Sequence, residues 1–139
     1  ANSDVYLATL SPSERLRKAA VFPFISSTVA VKVFHSATHE EVLYEANLMR
    51  KAAHPNICAV YGLYCCGGKF CLMLEYFVED LFDFTFSAST GAIEEPCALS
   101  IFTSLLLAVE HLHSLNIVHG DIKMENALIA GTKVCLSDF

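Results

Sequence analysis

The spacing of apolar residues differs between the first half of this chain and the second, and that difference limits the folds open to it. Up to about residue 76, outside 39–52, the apolar side chains alternate or run in short β-branched stretches, as strands do. Over 94–115 they recur every three to four residues instead, and Ile101, Leu105, Ala108 and Leu112 fall on one face of a long helix. The clearest strand is 28–34, with Val29, Val31 and Val33 on one face and Ala30, Lys32 and Phe34 on the other. Residues 5–10, 57–64 and 70–76 read as further strands. The last two are joined by Cys65-Cys66-Gly67-Gly68-Lys69, a length that suits a hairpin. An antiparallel sheet followed by helices is an α+β arrangement.

The shorter elements fill in around this frame. Thr38 and Glu41 have the spacing of a capping box, and Val42, Ala46 and Met49 follow at helical intervals, which predicts a helix over 39–52. Glu45 stands three residues after Val42 and four before Met49. It is either a carboxylate on the inward stripe, in need of a cation, or an exposed residue at the stripe's edge, and periodicity leaves both open. His54-Pro55-Asn56 ends that helix. A short helix over 81–86 and two short strands, 127–129 and 134–136, flanking Gly131-Thr132, complete the predicted elements. The polar, Pro-punctuated insertion 11–27, with an apolar patch at 19–25, yields no predicted element.

An apolar fraction of 54% against 17% charged residues is too high for a disordered chain. It is also rich for a free-standing domain of 139 residues, because small domains have the most surface to cover with polar groups, so the chain is expected to be part of something larger. The longest unbroken apolar stretch of the helix, 105–109, is flanked by Ser104 and Glu110, and no membrane span is expected. Ala1-Asn2-Ser3-Asp4 carries neither Met nor the features of a signal peptide. A net charge of -6 with scattered basic residues gives no reason to expect nucleic acid as a partner. Cys58, Cys65, Cys66, Cys71, Cys97 and Cys135 sit in apolar runs without paired C-x-x-C spacing. They read as reduced, buried thiols of a cytoplasmic or other reducing compartment, not as disulfides or a zinc site.

Chemistry concentrates in His119-Gly120-Asp121-Ile122-Lys123-Met124-Glu125-Asn126, between the long helix and the next strand. An isolated Asp or Asn in such a place is most often a self-satisfied turn. The density here argues for more. A carboxylate can accept a hydroxyl proton, an ammonium can hold a transferring phosphoryl group, and an amide oxygen with a second carboxylate such as Asp138 can hold magnesium.

These residues carry a resemblance to the catalytic domain of eukaryotic protein kinases. Ala30-Val31-Lys32 resembles the V-A-I-K strand and Glu45 the glutamate of helix αC. His119 to Asn126 resembles the H-R-D-L-K-x-x-N catalytic loop, and Asp138-Phe139 the start of D-F-G. His54-Pro55-Asn56-Ile57 and Leu115-Asn116-Ile117-Val118 are also similar to stretches of that family. The resemblance implies a bilobal α+β fold, truncated, with residues 1–76 forming an N-lobe of sheet plus αC and residues 77–139 the first part of a helical C-lobe. Val5 takes the V position of G-x-G-x-x-G-x-V and Ser3 that of its third glycine. The chain is therefore expected to be an internal slice of the domain, transferring little phosphate alone.

By the same resemblance, Lys32 contacts the α- and β-phosphates of ATP and pairs with Glu45. Asp121 receives or orients the substrate hydroxyl proton, Lys123 neutralises the γ-phosphate, and Asn126 and Asp138 hold Mg2+. Val5 and Ala30 form the roof over adenine, Leu128 the floor, the backbone of Glu75 and Phe77 the hinge, and Leu74 the gatekeeper. Asp80 sits where a carboxylate meets the ribose, and Met49, Val60, His119 and Phe139 correspond to the spine. Lys123, two after Asp121, is the serine/threonine pattern, which implies a protein substrate phosphorylated on those hydroxyls. Gly120 departs from the arginine of H-R-D, and with it goes the usual partner of an activation-loop phosphate. H-G-D also resembles small-molecule phosphotransferases of the aminoglycoside and choline kinase type, one alternative; a pseudokinase or nucleotide-binding scaffold is another.

Overall fold

The structure, a computed structural model, describes residues 3–22, 25–87 and 92–139. Contacts divide the chain into two units, Ala1–Lys51 with Ala59–Tyr76 and Ala52–Cys58 with Phe77–Phe139.

In the first unit the elements run β1 (Ser3–Thr9), α1 (Pro12–Ala19), β2 (Thr28–Phe34), α2 (His39–Lys51), β3 (Val60–Cys66) and β4 (Lys69–Glu75). The strands form one antiparallel sheet in the order β1-β2-β4-β3. Gly67 and Gly68 make the two-residue turn between β3 and β4 with φ of +57° and +75°, a pair of left-handed conformations that glycine adopts without strain. The register sets Val5 opposite Lys32 and Ala30 opposite Leu74, so these four residues share one face of the sheet. Helix α2 packs against β3 and β4. Its Val42, Ala46 and Met49 are buried, and the box predicted at its start is present: Thr38 N donates to Glu41 Oε2 (2.7 Å) and Glu41 N to Thr38 Oγ1 (3.3 Å).

The opposite face of the sheet carries α1, a helix within the insertion 11–27 for which the sequence yielded no predicted element. Ser11 N donates to Glu14 Oε2 (3.1 Å) and Glu14 N to Ser11 Oγ (3.3 Å), Pro12 occupies the first turn, and Arg17 and Lys18 lie in the last. Lys18 Nζ donates to the Tyr61 carbonyl (2.6 Å) and lies 5.0 Å from the centre of the Tyr64 ring. Beneath it Leu10, Ile25, Val29 and Tyr61 form a small core, with Ala19 and Phe22 packed against it. Pro23 and Phe24, part of the apolar patch noted in the sequence, lie outside the described residues.

In the second unit β5 (Glu79–Asp80), β6 (Ala127–Ala130) and β7 (Lys133–Leu136) form a small antiparallel sheet in that order. Helices α3 (Leu81–Ser87) and α4 (Glu95–Ser114) precede β6, and Ile101, Ile129 and Val134 form a core against which Leu81, Phe84 and Leu105 pack. Ala108 and Leu112 are fully buried, as the helical spacing requires. The strand expected over 57–64 begins only at Val60. Its first residues belong to this unit instead: Ile57 bridges Leu136, Cys58 N donates to Leu136 O (3.0 Å) and Leu136 N to Asn56 O (2.9 Å). The cause is the turn at His54-Pro55-Asn56, closed by Ile57 N donating to His54 O (3.0 Å).

One further expectation changes. Cys58, Cys71 and Cys135 are buried, but Cys65, Cys66 and Cys97 are exposed, and none of the six is in a disulfide. Cys65 and Cys66 run out to the hairpin turn and Cys97 lies in the first turn of α4, so an apolar neighbourhood in sequence did not bring burial. Helix α4 is long and apolar enough to cross a membrane by length and composition alone, because Ser104 and Glu110 interrupt its apolar run without making it polar.

Candidate active site

Strand β2 and helix α2 create the first group. Parity along β2 puts Lys32 on the face toward α2, and the 3.6-residue period of α2 turns Glu45 inward beside Val42 and Met49. Their side chains meet, Lys32 Nζ donating to Glu45 Oε1 at 3.0 Å, and are 13% and 26% exposed. The ammonium also lies 5.5 Å from the centre of the Phe34 ring. Of the two readings of Glu45, the inward carboxylate with a cation is the one realised. Val5 and Ala30 stand on the same face; Val5 is 63% exposed and Ala30 half-buried, while Leu74 is buried. Met49 and Val60 are buried in this unit as well. The Glu75 amide donates to Ala59 O (2.8 Å).

The second group is the loop between α4 and β6, and its geometry starts from buried His119. The Asp121 amide donates to Nδ1 of the ring (3.2 Å), which leaves the proton on Nε2 to be donated to the Ser137 carbonyl (2.9 Å). Burial depresses the His119 pKa, in keeping with a neutral ring, and the ring stacks at a tilt on Phe139, centroids 5.8 Å apart. Asn126, also buried, ends a 3-10 turn over Met124–Asn126. Its Nδ2 donates to both the carbonyl (2.8 Å) and Oδ2 (3.1 Å) of Asp121, which fixes the amide and leaves Oδ1 as an oxygen donor. Lys123 Nζ meets Asp121 Oδ2 at 2.9 Å. The hydrogen bond from Lys123, with that from Asn126 and the nearby charge, holds the Asp121 carboxyl below the usual range, and the same pairing raises Lys123.

Ser137 is the residue that sequence spacing missed. It is buried; its amide (2.9 Å) and hydroxyl (3.2 Å) both donate to the Asn126 carbonyl, while its own carbonyl takes the His119 proton. No motif marks a serine at this point except its place before Asp138. Anchored in this way, the chain presents Asp138 with φ +59°, a left-handed conformation that non-glycine residues rarely hold and Asp tolerates better than most. The Asp138 side chain is exposed. Gly120 has φ +81° with open space where a side chain would begin, so glycine suits the backbone that carries Asp121.

The remaining predicted residues are less specialised. Phe77 is buried, with Lys133 Nζ 5.6 Å from its ring centre, and Leu128 is half-buried opposite Cys135 and Asp80. Asp80 is already engaged: Oδ1 accepts the Asp83 amide (2.8 Å), one of the first-turn donors of α3.

The donor set suits magnesium bound to phosphate. Mg2+ takes one or two protein oxygens and completes its shell with water and phosphate, and the fixed Oδ1 of Asn126 with the Asp138 carboxylate would supply those two. Among the described residues no group of three or more His, Cys, Asp or Glu forms an all-protein metal cage.

Comparison with known proteins decides the family. The model of the protein kinase domain matches residues 21–139. The chain belongs to the protein kinase domain family. Among its relatives, the serine/threonine-protein kinase US3 of human herpesvirus 1 (strain 17) is 34% identical over 97 residues, 69% of this chain and 20% of that protein. A probable serine/threonine-protein kinase of Dictyostelium discoideum is 38% identical over 98 residues, 68% of this chain and 11% of that protein. The human testis-specific serine/threonine-protein kinase 3 is 34% identical over 97 residues, 68% of this chain and 35% of that protein. The kinase-domain chain thus spans roughly a tenth to a third of the length of these three relatives. Proteins of this family use ATP and typically Mg2+.

Proposed function

We propose that the protein carrying this chain transfers the γ-phosphoryl group of ATP to serine or threonine hydroxyls of a protein. The observation that supports this best is the loop in which Asn126 and Lys123 both bind the Asp121 carboxylate. Asn126 and Asp138 would hold Mg2+, which when bound neutralises charge on the phosphates. Lys32, steadied by Glu45, would hold the α- and β-phosphates, with Val5, Ala30, Leu74 and Leu128 against the adenine and the backbone of Glu75 and Phe77 as its polar edge.

Asp121 has a double task. With its pKa held down it is a poor base but a good acceptor, so it orients the substrate hydroxyl toward phosphorus. Lys123 is shared between Asp121 and the incoming γ-phosphate. As Lys123 turns to the phosphate, Asp121 loses the cation that depresses it and becomes able to take the hydroxyl proton. The hydroxyl oxygen bonds to phosphorus as the bond to the β-phosphate oxygen breaks, and ADP leaves. Three of the six thiols are buried and none is in a disulfide, which supports a reducing compartment. The inward Ile101, Ala108 and Leu112 of α4 and the charged Glu95 and Glu110 support a core helix and not a membrane span.

The test is a substrate panel with the full-length protein and γ-labelled ATP. Label on serine or threonine of peptides is the expected result; label on amino alcohols such as choline or an aminoglycoside, and never on peptides, would overturn the reading.

A further inference from the structure

Outside the residues used so far, one cluster joins three strands at a single end of the first unit's sheet. His35, just past the end of β2, lies with Nε2 2.8 Å from Oδ2 of Asp4 on β1, and Lys69 Nζ at the start of β4 reaches its Nδ1 at 3.3 Å. An ammonium can only donate, so Nδ1 is the unprotonated nitrogen and Nε2 carries the hydrogen that goes to Asp4. Tyr6 donates its hydroxyl to the same Asp4 oxygen (3.3 Å), and the Asp4 carboxyl is held below its usual range, chiefly by His35. The His35 and Asp4 side chains are 28% and 57% exposed. The last backbone pair of β1 and β2 at this end is Ser3 with Phe34. The Asp4-His35 link therefore closes the sheet at the residue where β1 begins.

We infer that His35 is a positioning residue for nucleotide phosphates: it fixes the start of β1, and with it the Ser3 backbone, through Asp4 on one side and Lys69 on the other. The inference rests on the nucleotide reading above and on the resemblance of Ser3 to the third glycine of G-x-G-x-x-G-x-V, whose backbone amides would approach the phosphates. His35 itself touches no reacting atom. A ring that donates at one nitrogen and accepts at the other holds β1 to β4 across β2 in a way that backbone pairing alone, which ends at Ser3, does not.

The test compares binding of Mg-ATP and of adenosine, which lacks phosphates, to the full-length protein. His35→Ala is expected to weaken ATP about two- to fivefold, the range a single hydrogen-bonded link can supply, with adenosine unchanged. His35→Gln, whose amide donates and accepts without charge, is expected to recover most of the loss. Equal weakening of ATP and adenosine marks a merely structural role and overturns the inference, as does wild-type ATP affinity in His35→Ala. Wild-type protein that binds neither ligand overturns the nucleotide reading itself, and the inference with it.

Discussion

Lys32 sits against Glu45 with its side chain 13% exposed, so replacing it removes a charge from the sheet face without opening the core. Lys32→Met is therefore expected to lower phosphotransfer by about a hundredfold or more, as loss of a preorganised charge contact does, while the thermal midpoint moves by only a few degrees. Unchanged turnover would count against the role given to Lys32. Asp121→Asn keeps an acceptor oxygen but cannot take a proton, and transfer should fall below detection while ATP still binds. At this scale the sequence was legible to a definite depth. The residue types at 32, 45, 121, 123, 126 and 138 carry their chemistry in their identity, and the helical period posed the right question about Glu45. The bonding inside the loop was not legible. That Asn126 spends its Nδ2 on Asp121, or that Ser137 ties the loop down, depends on rotamers and on contacts across eleven residues, which no local pattern encodes.

Helix α1 shows why a short element escapes a periodic reading. It has eight residues and no buried side chain, so no apolar stripe exists to be found, and yet its capping signature at Ser11, Pro12 and Glu14 was present. That signature makes a prediction: Ser11→Ala should destabilise the helix by about 1 kcal/mol, read as faster amide exchange over 12–19 with little change in α4. Unaltered exchange would mean that Lys18 on Tyr61 holds α1 and the cap does not. In α4, by contrast, the stripe was long and unambiguous. Leu112 is fully buried, and Leu112→Ala should cost about 2–5 kcal/mol in denaturant unfolding of the second unit. The start of β3 was misplaced for a third reason. The run 57–64 is apolar throughout, and period alone cannot say where a continuous apolar run changes partner.

Over the whole molecule, the two histidines with resolved shifts move the same way. Burial depresses both His119 and His54 below their ordinary value of 6.5, with the neighbouring charge of His111 adding to the effect on His54. A neutral ring is favoured in the folded state, so the stability it confers is complete above about pH 6.5 and is lost as pH falls through the depressed folded value. The thermal midpoint is expected to drop between pH 7 and pH 5, and the drop should be smaller in His119→Gln, which can still donate and accept without titrating. Parallel curves for the two proteins would remove His119 as a cause.

The central claim of the proposed function is that Asp138 and Asn126 hold the metal of a bound nucleotide. The most direct measurement is ATP affinity of the full-length protein with and without Mg2+, in wild type and in Asp138→Asn. Wild type should bind ATP more tightly with Mg2+, and the variant should lose at least about tenfold of that Mg2+-dependent affinity while adenosine binding is kept. ATP affinity that ignores Mg2+ in both proteins would contradict the claim.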